Sequence, residues 1–257
     1  MSRLAARARQ ILYRSYHRLA RANYDRELIA RRNRTPAGSV RCYEPLNRHA
    51  DDAMLEELSA CCGPAAVVYD VGANVGIYAL TLASASPRRH VVAFEPSSTV
   101  VDRLRANVRL NGLEGRIDVR PCALGDNDGE YPFYRSTNPE LSGFDREAAT
   151  RWGASVADVG PVPVHRLDSL VAAPEGQNGA DRGRLPAPDV LKVDVEGAAP
   201  SVLRGARATL ERYRPRLFVE IHEAGLTGDV PGETKGLLEA CGYDVLERAG
   251  YWRCEPA

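Results

Sequence analysis

The stretch VVYDVGANVGIYAL, residues 67–80, decides how the rest of the chain is read. It opens with Val67, Val68 and Tyr69, a β-branched and aromatic run that fits a buried strand. Asp70-Val71-Gly72-Ala73-Asn74-Val75-Gly76 then strips much of the backbone of side chains, and an apolar helical pattern follows from Ile77. Strand, glycine-rich turn and helix N-terminus, in that order, make a docking place for nucleotide-like ligands, because backbone amides converge there. Gly72 and Gly76 would let a ligand approach the chain, and Asn74 tolerates unusual φ/ψ. The spacing is GxNxG, not the GxGxxG of a dinucleotide fingerprint. A tight structural turn with no ligand is the alternative reading.

The next strand, RHVVAFEP, ends on Glu95, 19 residues after Gly76. An acidic residue there can accept hydrogen bonds from both hydroxyls of a ribose, and it would repel a 2′-phosphate. A solvated strand end is the bland alternative. Asp70 can anchor the turn or lie near a cationic part of a ligand. ALGD, residues 123–126, closes the third strand, RIDVRPCAL. Its Asp126 can reach an adenine amino group or simply form an Asx turn.

Strands and helices alternate from residue 51 onward. The strands are near-continuous apolar runs, which predicts a parallel sheet covered on both faces. EYPFYRS and VPVHRLDSL read as further strands, and residues 136–160 between them as a substrate loop or lid. SVLRGARATLERY reads as one helix. YDVLERAGYWRC reads as a terminal antiparallel hairpin over Ala249-Gly250. The Pro/Gly-rich segment 172–188 is expected to be a flexible insert.

Two strand ends carry charge. In LKVDVEG (191–197), Lys192, Asp194 and Glu196 fall on one face of an extended segment. FVEIHE (218–223) does the same with Glu220 and His222. Charges on otherwise buried strands are costly unless they pair or line a site. If the strands are neighbours, Asp194, Glu196, Glu220 and His222 gather at the carboxyl edge, where open α/β sheets bind ligands. His222 can act as a general base or be structural, and Asp194 with Glu220 can hold Mg²⁺. Lys192 reads as a structural ion-pair partner.

The totals exclude several classes. The composition, 44% hydrophobic and 26% charged over 257 residues, suits one large α/β domain (51–257) preceded by an extension (1–50). There is no 18-residue apolar run and no signal-peptide core. Six cysteines without paired spacing read as reduced thiols, so a cytoplasmic location is expected and a zinc site is not. The net charge of zero hides an asymmetry: residues 1–34 hold ten Arg against Asp25 and Glu27. Residues 3–32 read as a basic amphipathic helix. It can lie on an anionic membrane, or pack on the domain or on a second copy of the chain. No nucleic-acid reader motif accompanies the charge.

Taken in order, DVGANVG, AFEPSSTVVDRLRANVRLNG, ALGD, DVLKVDVEGA and LRGARATLERYRPRLFVEIHE closely resemble the FkbM family of S-adenosylmethionine-dependent methyltransferases, across about residues 65–223. The resemblance implies a Rossmann-like class I methyltransferase sandwich, with a mostly parallel seven-stranded sheet and a C-terminal antiparallel hairpin. It implies S-adenosylmethionine as cofactor and O-methylation of a saccharide, glycolipid or natural product. Asp70, Gly72, Asn74 and Gly76 would form the cofactor loop, Glu95 would hold the ribose, and Asp126 would lie near the adenine. Asp194, Glu196 and His222 would face the methyl group and acceptor. The family's EGAE has Ala199 here in place of its last acid, followed by Pro200. Two rivals stand beside this reading: an NAD-dependent oxidoreductase, and a non-catalytic membrane-peripheral scaffold acting through residues 3–32.

Overall fold

The computed structural model describes residues 15–16, 18–45, 49–138, 141–171, 184–221 and 228–257. Its centre is a seven-stranded sheet in the order β11-β12-β10-β9-β3-β4-β5. These strands are β3 (Val67–Val71), β4 (His90–Phe94), β5 (Ile117–Arg120), β9 (Val190–Val193), β10 (Arg216–Glu220), β11 (Tyr243–Glu247) and β12 (Tyr251–Pro256). β5, β4, β3, β9 and β10 are mutually parallel, and β12 runs antiparallel to both β10 and β11. The α/β sheet with its C-terminal hairpin is the one the sequence predicts.

Side chains alternate across this sheet, as a period of two requires. Val68, Val91, Ala93, Val190 and Phe218 face one core, packed under α2 (Ala53–Cys61), α3 (Ile77–Ala85) and α4 (Ser98–Leu110). Tyr69, Val71, Val92, Phe94, Leu191, Val193, Leu217 and Val219 face the other. That second core is closed by α5 (Leu167–Leu170), α6 (Ala199–Gly205), α7 (Arg207–Tyr213) and α8 (Val230–Ala240). Both faces are therefore dry, which is why the strands read as unbroken apolar runs.

The described part of the N-terminal segment is helical at residues 15–16 and 18–26 (α1), not as far as 32. Glu27 takes a left-handed turn at φ 48°, and the Asn23 side chain donates to Ile29 O and accepts from Ile29 N–H. This Asn-stapled turn redirects the chain into the hairpin β1 (Arg31–Thr35) and β2 (Gly38–Cys42). Val40 and Cys42 of β2 enter the core beneath α3. Residues 1–14 and 17 lie outside the described residues.

Four further expectations are corrected. RIDVRPCAL is not one strand: Pro121, which lacks an N–H, follows β5, and Ala123–Leu124 (β6) joins a second sheet. That sheet has the order β6-β8-β7, with β7 spanning Gly129–Ser136 and β8 Val156–His165. The LDSL end of the next segment is helical α5. SVLRGARATLERY is split into α6 and α7 at Ala206. Of the expected flexible insert, residues 172–183 lie outside the described residues, but Leu185 is buried and bridges Val171. The Tyr69 hydroxyl donates to Pro186 O. Leu185 is apolar and lands in a core, so this end of the insert is fixed by packing.

Candidate functional site

The sheet reverses its winding between β3 and β9: β4 and β5 lie to one side, β10 to the other. A crevice must open at the carboxyl ends of these strands. A cavity of about 380 Å³ occupies it, within the range of small-molecule sites. Gly72 and Asn74 of the turn line it, with Glu95 and Pro96 after β4. Cys122, Ala123 and Leu124 form a wall beside them. Asp194, Glu196 and Glu220 come from the ends of β9 and β10, and Ser142, Gly143 and Phe144 from the excursion between β7 and β8.

The turn is built by backbone constraints. Gly72 has φ 79°, and an added Cβ would lie 1.9 Å from the carbonyl oxygen of Asp194. Its N–H and that of Ala73 both donate to Phe94 O at 3.0 Å, pinning the turn over β4. Asn74 is left-handed at φ 49°, a conformation its short polar side chain tolerates. This aims its N–H at Glu95 Oε2, 3.1 Å away. Gly76 caps α3 at φ 91°, and a Cβ there would strike Leu104 Cδ1 at 2.1 Å. Gly76 thus serves helix packing and does not line the cavity.

Glu95 is 8% exposed. Its Oε1 accepts from Ser97 N–H at 2.9 Å and its Oε2 from Asn74 N–H. Burial raises its carboxyl to about 7, against the lowering effect of those two hydrogen bonds. Each oxygen keeps acceptor capacity beyond these bonds.

Asp70 does not line the cavity. It is fully buried beneath it, and its Oδ1 accepts from Lys192 Nζ at 2.9 Å. The two residues are register partners in β3 and β9, which places them side by side on the α3 face. The Lys192 ammonium also stands 3.3 Å from Asp194 Oδ2 and 4.6 Å from the centre of the Tyr78 ring. Burial alone would lower the lysine, but Asp70 and Asp194 overcome it and raise it, so it stays charged. Lys192 is structural, as the sequence suggested, though its partners are Asp70 and Asp194.

β9 ends at Val193, so Asp194 and Glu196 sit in the loop beyond it and do not share a strand face. Glu196 forms an ion pair with Arg151 of the turn Ala148–Gly153, both little exposed. Asp126 lines an adjoining cavity of about 330 Å³, which shares Leu124, Phe144, Glu196 and Ala198 with the first. Asp126 Oδ2 there accepts from Arg204 Nε at 3.4 Å. Ala199 and Pro200 open α6 and are buried; a carboxylate in place of Ala199 would enter an apolar cluster. His222 lies outside the described residues.

Sequence reasoning missed His49. It lines the cavity, and its Nδ1 lies 2.8 Å from Asp52 Oδ2. The signal was a histidine three residues before Asp52, the N-cap of α2, but His49 itself lies just before the strand–helix rhythm that begins at residue 51.

The Mg²⁺ expectation does not fit the chemistry found. The Lys192 ammonium stands against Asp194 and supplies the positive charge a metal ion would bring. Among the described residues, no group of three or more His, Cys, Asp and Glu could hold a metal. The adenosyl cofactor does fit. Glu95 presents a carboxylate to the cavity beside the glycine turn, where Gly72 and Asn74 also line it.

The α/β sheet, together with the family match over most of it, places the chain among the S-adenosylmethionine-dependent methyltransferases. Residues 70–245 match the Methyltransferase FkbM domain. The chain belongs to the FkbM methyltransferase family. It is 31% identical over 209 residues to the 31-O-demethyl-FK506 methyltransferase FkbM of Streptomyces tacrolimicus, covering 71% of this chain and 74% of that one. It is 29% identical over 174 residues to the hexuronic acid methyltransferase AglP of Haloferax volcanii, covering 68% and 62%. In structure it resembles the Methyltransferase FkbM of Methylobacillus flagellatus with a TM-score of 0.50 at 17% identity, over 76% of this chain and 45% of that one. No helix among the described residues is long and apolar enough to cross a membrane.

Proposed function

We propose that this enzyme methylates a hydroxyl oxygen on a saccharide, glycolipid or polyol natural product. The observation that carries the reading is one cavity lined both by Glu95 with the glycine turn and by the carboxylates Asp194 and Glu220. Bound S-adenosylmethionine supplies an electrophilic methyl group on sulfonium. Glu95 accepts hydrogen bonds from the ribose hydroxyls, and the Gly72–Asn74 backbone closes over the same group. Asp194, held by Lys192, accepts a hydrogen bond from the acceptor hydroxyl and aims its oxygen at the methyl carbon; such alignment is the main catalytic contribution to an intrinsically reactive donor. Glu196 positions the 141–153 excursion over the acceptor through Arg151. Both relatives named above support an oxygen or sugar acceptor by the substrates in their names.

The test is calorimetry with S-adenosylhomocysteine, then transfer of a labelled methyl group to a panel of uronic acids, hexose glycosides and macrolide polyols. We expect the product analogue to bind and at least one hydroxyl to be methylated. Asp194→Asn should cut kcat by about 100-fold or more while leaving the analogue's affinity within a few fold. Unchanged turnover removes Asp194 from the site.

A lipid-linked acceptor is favoured by one observation. Leu19 of α1 and Leu28 and Ile29 of the turn after it are 70%, 62% and 61% exposed amid a basic segment, a combination that can rest on anionic lipid. Cosedimentation with phosphatidylserine vesicles at low and high salt tests it; no binding at low salt refutes it.

A further inference from the structure

His49 stands three residues before Asp52, the N-cap of α2, and lines the cavity. Its ring is fixed on two sides. Nδ1 meets Asp52 Oδ2 at 2.8 Å, and the ring packs edge-on to Tyr78 with centroids 5.8 Å apart. Asp52 is itself immobilised. Its Oδ1 accepts from Leu55 N–H at 2.9 Å, capping α2, and from the Tyr78 hydroxyl at 2.8 Å. Burial would raise the Asp52 carboxyl, but the bonds from His49, Leu55 and Tyr78 outweigh it and hold it below the usual range. Tyr78 is raised by burial and by Asp52, so it remains a phenol that donates.

An ionised Asp52 only accepts hydrogen bonds, so Nδ1 of His49 must donate. In the neutral ring this leaves the lone pair on Nε2. A carboxylate that fixes an imidazole tautomer, with the other nitrogen toward a reacting hydroxyl, is the arrangement of a general base. Asp194 is already engaged by the Lys192 ammonium, which suits it to orient a hydroxyl more than to remove its proton.

We propose that His49, oriented by Asp52, is the general base that takes the acceptor's proton in this methyl transfer. The inference rests on the O-methylation reading above. In the step, the acceptor oxygen bonds to the methyl carbon and the carbon–sulfur bond breaks, its electron pair going to sulfur. The hydroxyl proton passes to Nε2, leaving a methyl ether, a thioether and an imidazolium stabilised by Asp52. Asp52 is a positioning residue. Among the described residues, the charged and titratable groups near the ring include Asp52 on its own segment, Tyr78 from α3 with Lys192 over its ring, and Asp194 and Glu220, which line the same cavity.

The test pairs ¹⁵N NMR of labelled imidazoles with methyl transfer to the best acceptor of the panel between pH 6 and 9. In the wild-type protein His49 should carry its proton on Nδ1 and none on Nε2, and in Asp52→Asn it should show a mixture of tautomers. His49→Gln and His49→Ala should lose about 100-fold or more in kcat and bind S-adenosylhomocysteine within threefold of wild type. Added imidazole should restore part of the His49→Ala rate. A kcat within threefold of wild type in both variants overturns the proposal, and so does a wild-type ring with its proton on Nε2. A wild-type protein that binds the analogue yet methylates no hydroxyl sinks the O-methylation reading instead.

Discussion

Asp70 and Lys192 lie directly opposite each other in the parallel register of β3 and β9, and the lysine nitrogen stands 2.9 Å from the aspartate oxygen. Both are buried, so the pair is held in a dry interior on the face that α3 covers. Removing one partner of such a pair leaves an uncompensated charge, which costs about 3–5 kcal/mol. Lys192→Met should therefore unfold at markedly lower urea. Lys192→Met combined with Asp70→Leu should recover much of the loss, because both charges are gone and Asp194 retains solvent access. Urea melts of the two single variants and the double variant check this. Equal losses in Lys192→Met and in the double variant would show that the cost lies in packing.

Gly72 makes a second relationship testable. Alanine at this position would need φ near 79° and would drive its methyl group to 1.9 Å from a backbone carbonyl. Left-handed strain of this kind costs about 1–3 kcal/mol before any clash, and a backbone oxygen cannot swing aside. Gly72→Ala should lower Tm by at least about 4 °C and abolish binding of S-adenosylhomocysteine, whereas Gly63→Ala, where a Cβ meets nothing within 4 Å, should do neither. Differential scanning calorimetry and titration calorimetry read the two effects.

Glu95 sets a pH dependence with opposite signs for folding and binding. Its folded-state carboxyl is raised from 4.5 to about 7 by burial, so protonation favours the folded, ligand-free protein. That stabilising share is complete below about 4.5 and is lost as pH rises through about 7. Ribose hydroxyls need the ionised form as acceptor. Affinity for S-adenosylhomocysteine should thus climb by up to about tenfold per pH unit below 7 and level off above it. Glu95→Gln should bind weakly with this climb removed. Identical pH slopes in both proteins would mean that Glu95 does not touch the ligand.

These residues also show what was legible before the structure. The sheet was readable because two dry faces leave an apolar signature in every parallel strand, and because Gly72, Asn74 and Glu95 mark the turn and its neighbour in short range. The N-terminal hairpin was not, since Arg31–Thr35 carries mostly exposed polar side chains and its turn depends on Asn23 reaching Ile29. Asp70 reads from the sequence as a turn anchor or as a neighbour of a ligand's cationic part, yet its partner lies 122 residues away, and only the β3–β9 register reveals it. His49 was missed for a similar reason: its role depends on where α2 docks, which no local pattern encodes.

Arg151 and Glu196 tie the excursion between β7 and β8 to the end of β9, and both side chains are little exposed. The excursion supplies Ser142, Gly143 and Phe144 to the cavity roof, while Leu141, Ala148 and Ala149 are wholly buried beneath it. Its apolar residues anchor its packing, and the ion pair ties it to the cavity wall at Glu196. Glu196→Gln keeps the shape but loses the charge, leaving Arg151 under-compensated in a half-dry setting, at a cost of about 1–3 kcal/mol. Hydrogen exchange should accelerate across residues 141–155 and stay unchanged in β3 and β4. KM for the acceptor should rise by about tenfold, the equivalent of 1.4 kcal/mol, with affinity for S-adenosylhomocysteine changed less than threefold. Loss of analogue binding in step with acceptor binding would place Glu196 at the cofactor and not at the roof.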